Sequence, residues 1–495
     1  MDIDTIWQTA QAHHRAGRLT EAARELQQLI QQAPDHADAL NRLGVIAIQN
    51  QRPAEAVGWL ERAVMAAPSM PEAHNNLGLA LQRTGRLDAA LAAFEHAVAL
   101  KPELADAHYN LAAAARSAGN LARAERAYRA ALEHEPRFAS AYIELGALLQ
   151  GARRLDEAAE IYRRALAIRD DYAPILGNLA LVLHQQGKLD EAIALTERAR
   201  AAEPASAELA TNLGILLQER GRLDDAHAVL ATAIAAKPDY APAHSHAGLL
   251  AHERGDTATA VEHFRRVLAL KPGDEDARYM LAVLTGARLA RAPDGYVGRL
   301  FDQYAARFDD HLTGTLRYRV PADLAALIQP IDPGRERAVM LDIGCGTGLS
   351  GLPFRAMARR LVGIDLSAEM LARARARNVY DELHCAEACG FVAGFAGAID
   401  LAIAADMLVY LGDPAPLLAP LAARMPPGGL LGLSIERLDD GTFTLGPSGR
   451  FTHNLDHLAA LAAGHGFSVR AAEDTVIRHE RRAPAHGSLV VFEKV

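Results

Sequence analysis

Aromatic residues, cysteine and long hydrophobic runs are all scarce in this chain of 495 residues. Phe, Trp and Tyr together make up 5% of it, and it has three cysteines. Because half of the residues are nevertheless hydrophobic, Ala and Leu carry the apolar content, which favours helices. So few cysteines exclude a disulfide scaffold and indicate a reducing compartment. No run of about 18 apolar residues occurs and the first residues do not read as a secretory leader, so we expect a cytoplasmic protein that does not span a membrane.

An excess of basic residues is also missing. The chain has 52 Lys and Arg against 61 Asp and Glu, which gives a net charge of −9. A protein that binds nucleic acid or an anionic membrane through its charge needs the opposite balance. We therefore predict neither as a partner, and the oligomeric state stays open.

The first half of the chain has a period of 34 residues. One series holds alanine without exception: Ala22, Ala56, Ala90, Ala124, Ala158, Ala192, Ala226 and Ala260. A second series holds tiny residues where we expect two helices to cross: Gly44, Gly78, Ala112, Gly146, Ala180, Gly214 and Gly248. A third series holds glycine, a common end of a helix, with Gln51 and Arg153 as departures: Gly17, Gly85, Gly119, Gly187, Gly221 and Gly255. Each unit is therefore predicted to be two helices joined by tight turns.

This period and these offsets resemble the tetratricopeptide repeat. Eight units would fill residues 1–274, and residues 275–295 would hold a capping helix, around 278–289, and a linker. The resemblance implies an all-α superhelix whose groove binds a protein or peptide.

Four asparagines occupy one position in the first helix of their units: Asn76, Asn110, Asn178 and Asn212. They are similar to the asparagine ladder of the O-linked N-acetylglucosamine transferase superhelix. An Asn amide can bond both the N–H and the C=O of an extended peptide. We expect these residues to bind a partner, with solvation of the groove as the alternative.

After Leu289 the pattern changes to short apolar segments that alternate with helical ones, which predicts βαβ units and a mostly parallel sheet. The predicted strands are 338–343, 361–364, 383–386, 400–404 and 430–435, followed by an antiparallel pair at 467–478 and 488–493. The predicted helices are 297–308, 322–327, 350–359, 368–377, 414–424 and 454–463.

The chemistry is concentrated after the first predicted strand. Asp342 is followed by Gly344, Gly346 and Gly348, a spacing that differs from the Gly-x-Gly-x-x-Gly of dinucleotide binders and disfavours a nicotinamide dehydrogenase. Glycines there make a tight turn and let a ligand lie against the backbone. Asp365 ends the second strand, where its carboxylate is placed to accept both ribose hydroxyls of a nucleoside.

Together these features resemble a class I S-adenosylmethionine-dependent methyltransferase over residues 296–495. Support comes from Pro-Pro-Gly-Gly before the fifth strand and from the antiparallel last strand. The run 301–309, combined with the repeats, is similar to predicted bacterial repeat-containing methyltransferases. The resemblance implies an α/β Rossmann-like domain with a mostly parallel seven-stranded sheet, and S-adenosylmethionine as cofactor.

The resemblance also assigns cofactor contacts at the strand ends. Asp342 and the glycines would line the methionine part of the cofactor. Asp365 would bind the ribose hydroxyls, and Glu387 would lie near the adenine amino group. Cys345 would form a small wall, and a nucleophilic role for it is disfavoured. Arg319 would pair with the cofactor carboxylate. The full set is Tyr304, Arg319, Asp342, Gly344, Cys345, Gly346, Gly348, Asp365, Leu366, Met370, Ala386, Glu387 and Ala405.

Asp406, Tyr410 and His453 are the candidates for touching the methyl acceptor. The fourth strand is not followed by Asn/Asp-Pro-Pro-Tyr, which disfavours methylation of adenine or glutamine nitrogen, and no His/Cys set has metal spacing. A carboxylate acceptor needs no base, whereas an ammonium or alcohol must first lose a proton. We expect methyl transfer to a protein, a peptide or a small molecule at an unspecified atom. The alternative is a cofactor-binding scaffold with little or no activity.

Overall fold

The computed structural model describes residues 2–332, 337–480 and 483–495, and paired helices fill its first part. The chain divides into two units, Met1–Pro238 and Asp239–Val495. The described helices of the first unit are α1 Ile3–Arg15, α2 Leu19–Gln32, α3 Ala37–Gln49, α4 Pro53–Ala66, α5 Pro71–Arg83, α6 Leu87–Leu100 and α7 Ala105–Ser117. They continue with α8 Leu121–His134, α9 Ala139–Gly151, α10 Leu155–Ile168, α11 Ala173–Gln185, α12 Leu189–Ala202, α13 Ala207–Glu219 and α14 Leu223–Ala236.

The predicted small residues lie where the two helices of a pair touch. A Cβ atom built on Gly44 would lie 2.3 Å from Cγ of Leu60, and one on Gly146 would lie 2.3 Å from Cζ of Tyr162. Such distances are far below van der Waals contact, so an alanine there would push the helices apart. The predicted crossing of two helices at these glycines is confirmed.

The turn within each pair uses a left-handed backbone. Gly85 has φ +79° and Gly221 has φ +81°, and Gln51 and Arg153 keep the same conformation with φ of +58° and +61°. This conformation costs about 1–2 kcal/mol for a residue with a side chain. The turn therefore keeps the same backbone conformation at Gln51 and Arg153, where the missing glycine makes it locally strained.

The second unit begins with four helices, α15 Ala241–Glu253, α16 Thr257–Leu270, α17 Glu275–Thr285 and α18 Asp294–Tyr304. α17 buries Met280 and Val283 against Phe264 and Val267 of α16. It ends at Gly286, which has φ +69°. α17 therefore covers the apolar side of the last repeat pair, slightly earlier in the chain than predicted.

The remainder of the second unit is an α/β layer structure. Its strands are β1 Arg337–Ile343, β2 Ala358–Asp365, β3 Glu382–Cys385, β4 Leu401–Ala404, β5 Leu430–Arg437, β6 Phe443–Leu445, β7 Phe451–His453, β8 Phe467–Glu480 and β9 Ala483–Lys494. Its helices of seven or more residues, within the described ranges, are Val320–Ile328, Ala368–Arg377, Ala388–Gly394, Ala415–Arg424 and Leu455–Gly464.

The strands form one sheet in the order β3-β2-β1-β4-β5-β7-β6, and β9 pairs with both β5 and β8. The pairs from β3 to β5 and the β5–β7 pair are parallel, whereas β9 runs antiparallel to β5 and β8, and β6 to β7. The predicted fold class is confirmed, including the antiparallel final pair. Leu341 packs into the apolar cluster on one face of the sheet and Met340 into the cluster on the other, so helices bury both faces.

Two local predictions in this unit are wrong, and one helix was not predicted. The sheet has nine described strands rather than seven, because β6 and β7 are three-residue strands too short to show an alternating pattern. Residues 350–359 do not form a helix: a short 3₁₀ turn, Leu352–Met357, leads directly into β2. The unpredicted helix Ala388–Gly394 contains two glycines, and Glu387 caps it by accepting hydrogen bonds from the N–H groups of Cys389 and Gly390.

No helix among the described residues is long and apolar enough to cross a membrane.

Replacing Gln51 by glycine is expected to stabilise the first unit. Gln51→Gly relieves the left-handed strain but adds freedom to the unfolded chain, so we expect a net gain of about 0.5–1 kcal/mol in unfolding free energy. The matched control is Gln27→Gly, at an exposed position inside α2, where the same change should cost about 1 kcal/mol. Urea unfolding monitored by circular dichroism measures both. A loss of stability in Gln51→Gly would contradict the role of strain at this turn.

Candidate functional site

The carboxyl ends of the central strands open into a cavity of about 770 Å³. β1 lies between β2 and β4, so the chain order reverses at β1, the point where parallel α/β sheets bind ligands. The wall includes the loop after β1, the tip of β2, the residues after β3 and β4, and the segment from α18 to Tyr318.

The loop after β1 needs its glycines. Gly344, Gly346 and Gly348 have φ of +76°, +54° and +89°, a region that side chains rarely adopt. The N–H groups of Gly344 and Cys345 both donate to the carbonyl oxygen of Ile364 at 2.9 Å, which ties the loop to β2. The loop therefore offers bare backbone to the cavity.

Asp365 holds this loop from the tip of β2. Its Oδ2 accepts a hydrogen bond from the N–H of Gly346 at 2.9 Å, and its Oδ1 accepts one from the N–H of Ser367 at 2.8 Å. Burial raises the pKa of Asp365, and the hydrogen bonds from these two N–H groups act in the opposite direction. Because each carboxylate oxygen has a second lone pair, Asp365 can still accept hydroxyl donors from the cavity that it lines.

Asp342 occupies a different place from the predicted one. Its side chain is fully buried and does not line the cavity. Its Oδ2 accepts hydrogen bonds from Ser350 Oγ at 2.7 Å and from the Tyr380 hydroxyl at 2.6 Å, while Oδ1 has no partner among the described residues. Burial raises its pKa to about 6. Asp342 therefore lies behind Ser350, which does face the cavity.

Most of the other residues predicted to contact the cofactor border the cavity: Tyr304, Gly344, Cys345, Gly346, Asp365, Leu366, Ala386, Glu387 and Ala405. Gly348 and Met370 do not, because Gly348 packs against Tyr380 and Met370 is fully buried in its helix. The side chain of Arg319 is 77% exposed and pairs with Asp323, so the geometry does not support its predicted role. Its neighbour Tyr318 lines the cavity instead.

Cys345 forms a small part of the wall. Its side chain is buried, and burial raises its pKa well above the usual thiol value. The thiol is therefore neutral near pH 7 and unsuited to nucleophilic attack.

An aromatic segment covers one side of the cavity. Phe301 and Tyr304 of α18 and the following Phe308 all line it, with 5.5 Å between the ring centroids of Tyr304 and Phe308. Asp302 Oδ1 accepts a hydrogen bond from Ser367 Oγ at 2.6 Å, and Asp309 Oδ1 accepts one from Thr347 Oγ1 at 2.5 Å. These bonds join the segment to the β2 tip and to the glycine loop.

The residues after β4 form a second wall. Asp406 has φ +59°, and its N–H donates to Ser434 Oγ at 2.7 Å. Its Oδ2 accepts from Arg450 Nη2 at 2.9 Å and its Oδ1 from Arg478 Nη1 at 3.3 Å, and Glu436 pairs with the same two guanidinium groups. This cluster holds two charges of each sign, so Asp406 is neutralised within it. Sequence reasoning missed both arginines, because they lie 44 and 72 residues from Asp406 and belong to no motif.

The other two acceptor candidates separate. Tyr410 lines the cavity, with Arg450 Cζ 5.6 Å from its ring centroid. His453 is 1% exposed, does not line the cavity, and has its Nε2 2.8 Å from the carbonyl oxygen of Leu411. Burial lowers the pKa of His453, so it is a neutral side chain of the interior. The geometry does not support its predicted contact with the acceptor.

The four asparagines of the repeats also differ among themselves. Asn76 Nδ2 donates to Asn41 Oδ1 and Asn110 Nδ2 donates to Asn75 Oδ1, both at 2.9 Å. The side chains of Asn178 and Asn212 make no hydrogen bond among the described residues, and both are half-buried. All four stay predicted partner contacts, and the last two have their amides available.

Asp342 should make stability fall as pH rises. Its pKa of about 6 in the folded protein lies above the ordinary 3.8, so the stability it contributes is present below pH 4 and lost as pH passes 6. Two pKa units correspond to about 3 kcal/mol. The side chain of Asp342→Asn cannot ionise. In this variant the unfolding free energy, measured with urea between pH 4 and pH 7, should therefore no longer show the fall that Asp342 causes.

The control is Asp381→Asn. Asp381 accepts from the N–H of Leu361 and pairs with Arg355, and its pKa is lowered, so its contribution is lost as pH falls rather than as it rises. Parallel stability curves for the parent and Asp342→Asn would contradict a raised pKa at this site.

Comparisons with known proteins divide the chain in two. Models of the tetratricopeptide repeat match residues 8–71, 71–104, 105–138, 137–203 and 211–275, and a methyltransferase domain model matches residues 341–431.

The curated relatives that match part of the chain include methyltransferases. The trans-aconitate 2-methyltransferase of Azoarcus sp. (strain BH72) is 35% identical over 138 residues, which are 28% of this chain and 50% of the relative. The ubiquinone biosynthesis O-methyltransferase of Aromatoleum aromaticum is 36% identical over 94 residues, 18% of this chain and 40% of the relative. The tRNA 5-carboxymethoxyuridine methyltransferase of Escherichia coli K12 is 29% identical over 147 residues, 27% of this chain and 55% of the relative. The chain thus spans about half the length of these relatives.

Solved structures are similar to part of the chain. MamA is 28% identical, with 34% of this chain and 94% of that chain covered and a TM-score of 0.31. YrrB, a tetratricopeptide repeat protein, is 24% identical, with 38% and 97% covered and a TM-score of 0.33. From the family models and the curated relatives, the chain belongs to the tetratricopeptide-repeat proteins and carries a methyltransferase domain after its repeats.

Proposed function

We propose that the chain is an S-adenosylmethionine-dependent methyltransferase that binds its cofactor in the cavity at the carboxyl ends of β1, β2 and β4. The observation that carries this proposal is the pairing of Asp365 with the glycine loop. A carboxylate and an unshielded backbone converge there on a space open to a ligand. When bound, the cofactor supplies an activated methyl group on a sulfonium.

The residues of the cavity fit such a nucleoside. The cavity has a volume of about 770 Å³, which lies within the range of small-molecule binding sites. Asp365 would accept the ribose hydroxyls, and Leu366 and Ala386 offer an apolar surface beside it for the base. Glu387 is held by the N–H groups of Cys389 and Gly390 at the same end of the cavity. The methionine part would lie along Gly344 and Gly346, towards Ala405.

The chain's own residues then have two tasks. Phe301, Tyr304 and Phe308 exclude water from the cavity, and their segment is fixed through Asp302 and Asp309. The wall at Asp406 and Tyr410 orients the acceptor. Positioning of this kind is the main requirement, because the electrophile is already activated.

For the whole chain we propose a division of labour in which residues 1–274 recruit a protein partner or substrate and residues 296–495 carry out the transfer. The repeat family and the line of four asparagines support the first part. The named relatives support methyl transfer, but their names refer to trans-aconitate, to ubiquinone biosynthesis and to a modified tRNA uridine, so they do not define one acceptor.

Calorimetric titration of the full chain with S-adenosylhomocysteine tests the cofactor site. We expect micromolar binding, weakened about 10–100-fold in Asp365→Asn, because hydrogen bonds to a charged group contribute about 1.5–3 kcal/mol. The control Asp440→Asn changes an exposed carboxyl in the turn before β6 and should bind like the parent. Undetectable binding by the parent, or equal binding by Asp365→Asn, would reject the proposal.

A second test concerns the repeats. The amides of Asn178 and Asn212 are available, whereas those of Asn76 and Asn110 already donate to neighbouring asparagines. The double variant Asn178→Ala/Asn212→Ala should therefore recover at least tenfold less of a partner protein than the double variant Asn76→Ala/Asn110→Ala. Quantitative mass spectrometry of proteins recovered by the full chain from source extract measures this. Recovery of the same proteins by both double variants and the parent would show that these asparagines only solvate the groove.

A further inference from the structure

On the side of the cavity where we propose that the acceptor binds, Tyr318 and Tyr410 can donate hydrogen bonds, but neither they nor Asp406 can act as a base. Both oxygens of Asp406 accept from guanidinium groups, those of Arg450 and Arg478. Burial raises the pKa values of Tyr318 and Tyr410, so both hydroxyls stay protonated. An acceptor that must lose a proton before attack therefore finds no group on this wall to take it.

The same wall is rich in donors. Tyr318 and Tyr410 line the cavity, and no described residue accepts a hydrogen bond from either hydroxyl. Arg450 lies on the same wall, over the ring of Tyr410. Two hydroxyl donors match an acceptor group that has more than one oxygen, and hydrogen bonds of this kind are strongest when that group is charged.

Apolar residues also line this cavity. Leu312, Leu316, Met407 and Leu411 line the cavity near Tyr318 and Tyr410 in the chain. They suit the hydrocarbon part of an acid, and they lower the local dielectric, which strengthens the hydrogen bonds to its charged end.

We propose that the methyl acceptor is a carboxylate, a refinement that rests on the proposed function. One carboxylate oxygen attacks the methyl carbon, the carbon–sulfur bond breaks, and its electron pair passes to the sulfur. The products are a methyl ester and the thioether form of the cofactor, and no proton moves. Tyr318 and Tyr410 position the attacking group by donating hydrogen bonds to the carboxylate.

His311 is the group on which a different acceptor would depend. It lines the cavity, and its Nδ1 has no partner among the described residues. It lies in the aromatic segment, edge-on to Tyr304 with 5.5 Å between ring centroids, rather than on the wall after β4. An alcohol or amine acceptor would need His311 as its base, and this is an outcome of the test below.

The experiment incubates the full chain with methyl-labelled S-adenosylmethionine and source extract separated into small molecules and proteins. Mild alkali hydrolyses methyl esters to volatile methanol, so we expect the transferred label to become volatile, in the small-molecule fraction for a free acid or in the protein fraction for a side-chain carboxylate. Label that stays alkali-stable overturns the carboxylate proposal and leaves the proposed function standing. If S-adenosylhomocysteine binds but no fraction is labelled, both are overturned, and absent binding rejects the proposed function itself.

Variants separate positioning from folding. Tyr318→Phe should lower kcat/KM for the labelled fraction about 10–100-fold while the Kd of S-adenosylhomocysteine stays within twofold, because one hydrogen bond to a charged acceptor is lost. The control Tyr296→Phe removes the hydroxyl of a tyrosine that packs on Tyr279 outside the cavity, and its kcat/KM should match the parent. Unchanged kcat/KM in Tyr318→Phe would overturn the assignment. So would alkali-stable label whose formation is lost in His311→Gln.

Discussion

The hydrogen bond from the N–H of Gly346 to Asp365 is the contact on which the site depends. It joins the loop after β1 to the tip of β2, while the other oxygen of Asp365 fixes Ser367 at the start of the following helix. One carboxylate thereby sets the positions of two backbone segments and still faces the cavity. The loop can approach so closely only because Gly344, Gly346 and Gly348 accept a left-handed backbone.

The opposite wall is organised by charge rather than by backbone. A cluster there contains two carboxylates and two guanidinium groups, those of Asp406, Glu436, Arg450 and Arg478. Because Arg478 is almost fully buried, breaking one of its ion pairs would leave a buried charge without compensation. Tyr279 of α17 donates its hydroxyl to the carbonyl oxygen of Gly449 at 2.5 Å, directly before Arg450. The helix α17, which covers the last repeat pair, therefore contacts the backbone of this wall at the residue before Arg450.

Sequence reasoning succeeded where the signal is local or periodic. The 34-residue series predicts the helix pairs because its crossing glycines each meet a large side chain of the paired helix, as Gly44 meets Leu60. The loop after β1 was likewise recognisable from its spacing. The charged cluster after β4 was not, because Arg450 and Arg478 are brought to Asp406 only by folding. Burial decided the rest: it places Asp342 behind Ser350 and His453 in the interior, and neither position shows in a pattern of residue types.

A crystal structure of the full chain grown with S-adenosylhomocysteine would show where the cofactor binds. We expect the nucleoside in the cavity between the glycine loop and the aromatic segment, with both ribose hydroxyls within about 2.5–3.0 Å of the Asp365 carboxylate. A cavity left empty at saturating ligand, or a ligand bound there without contact to Asp365, would contradict it.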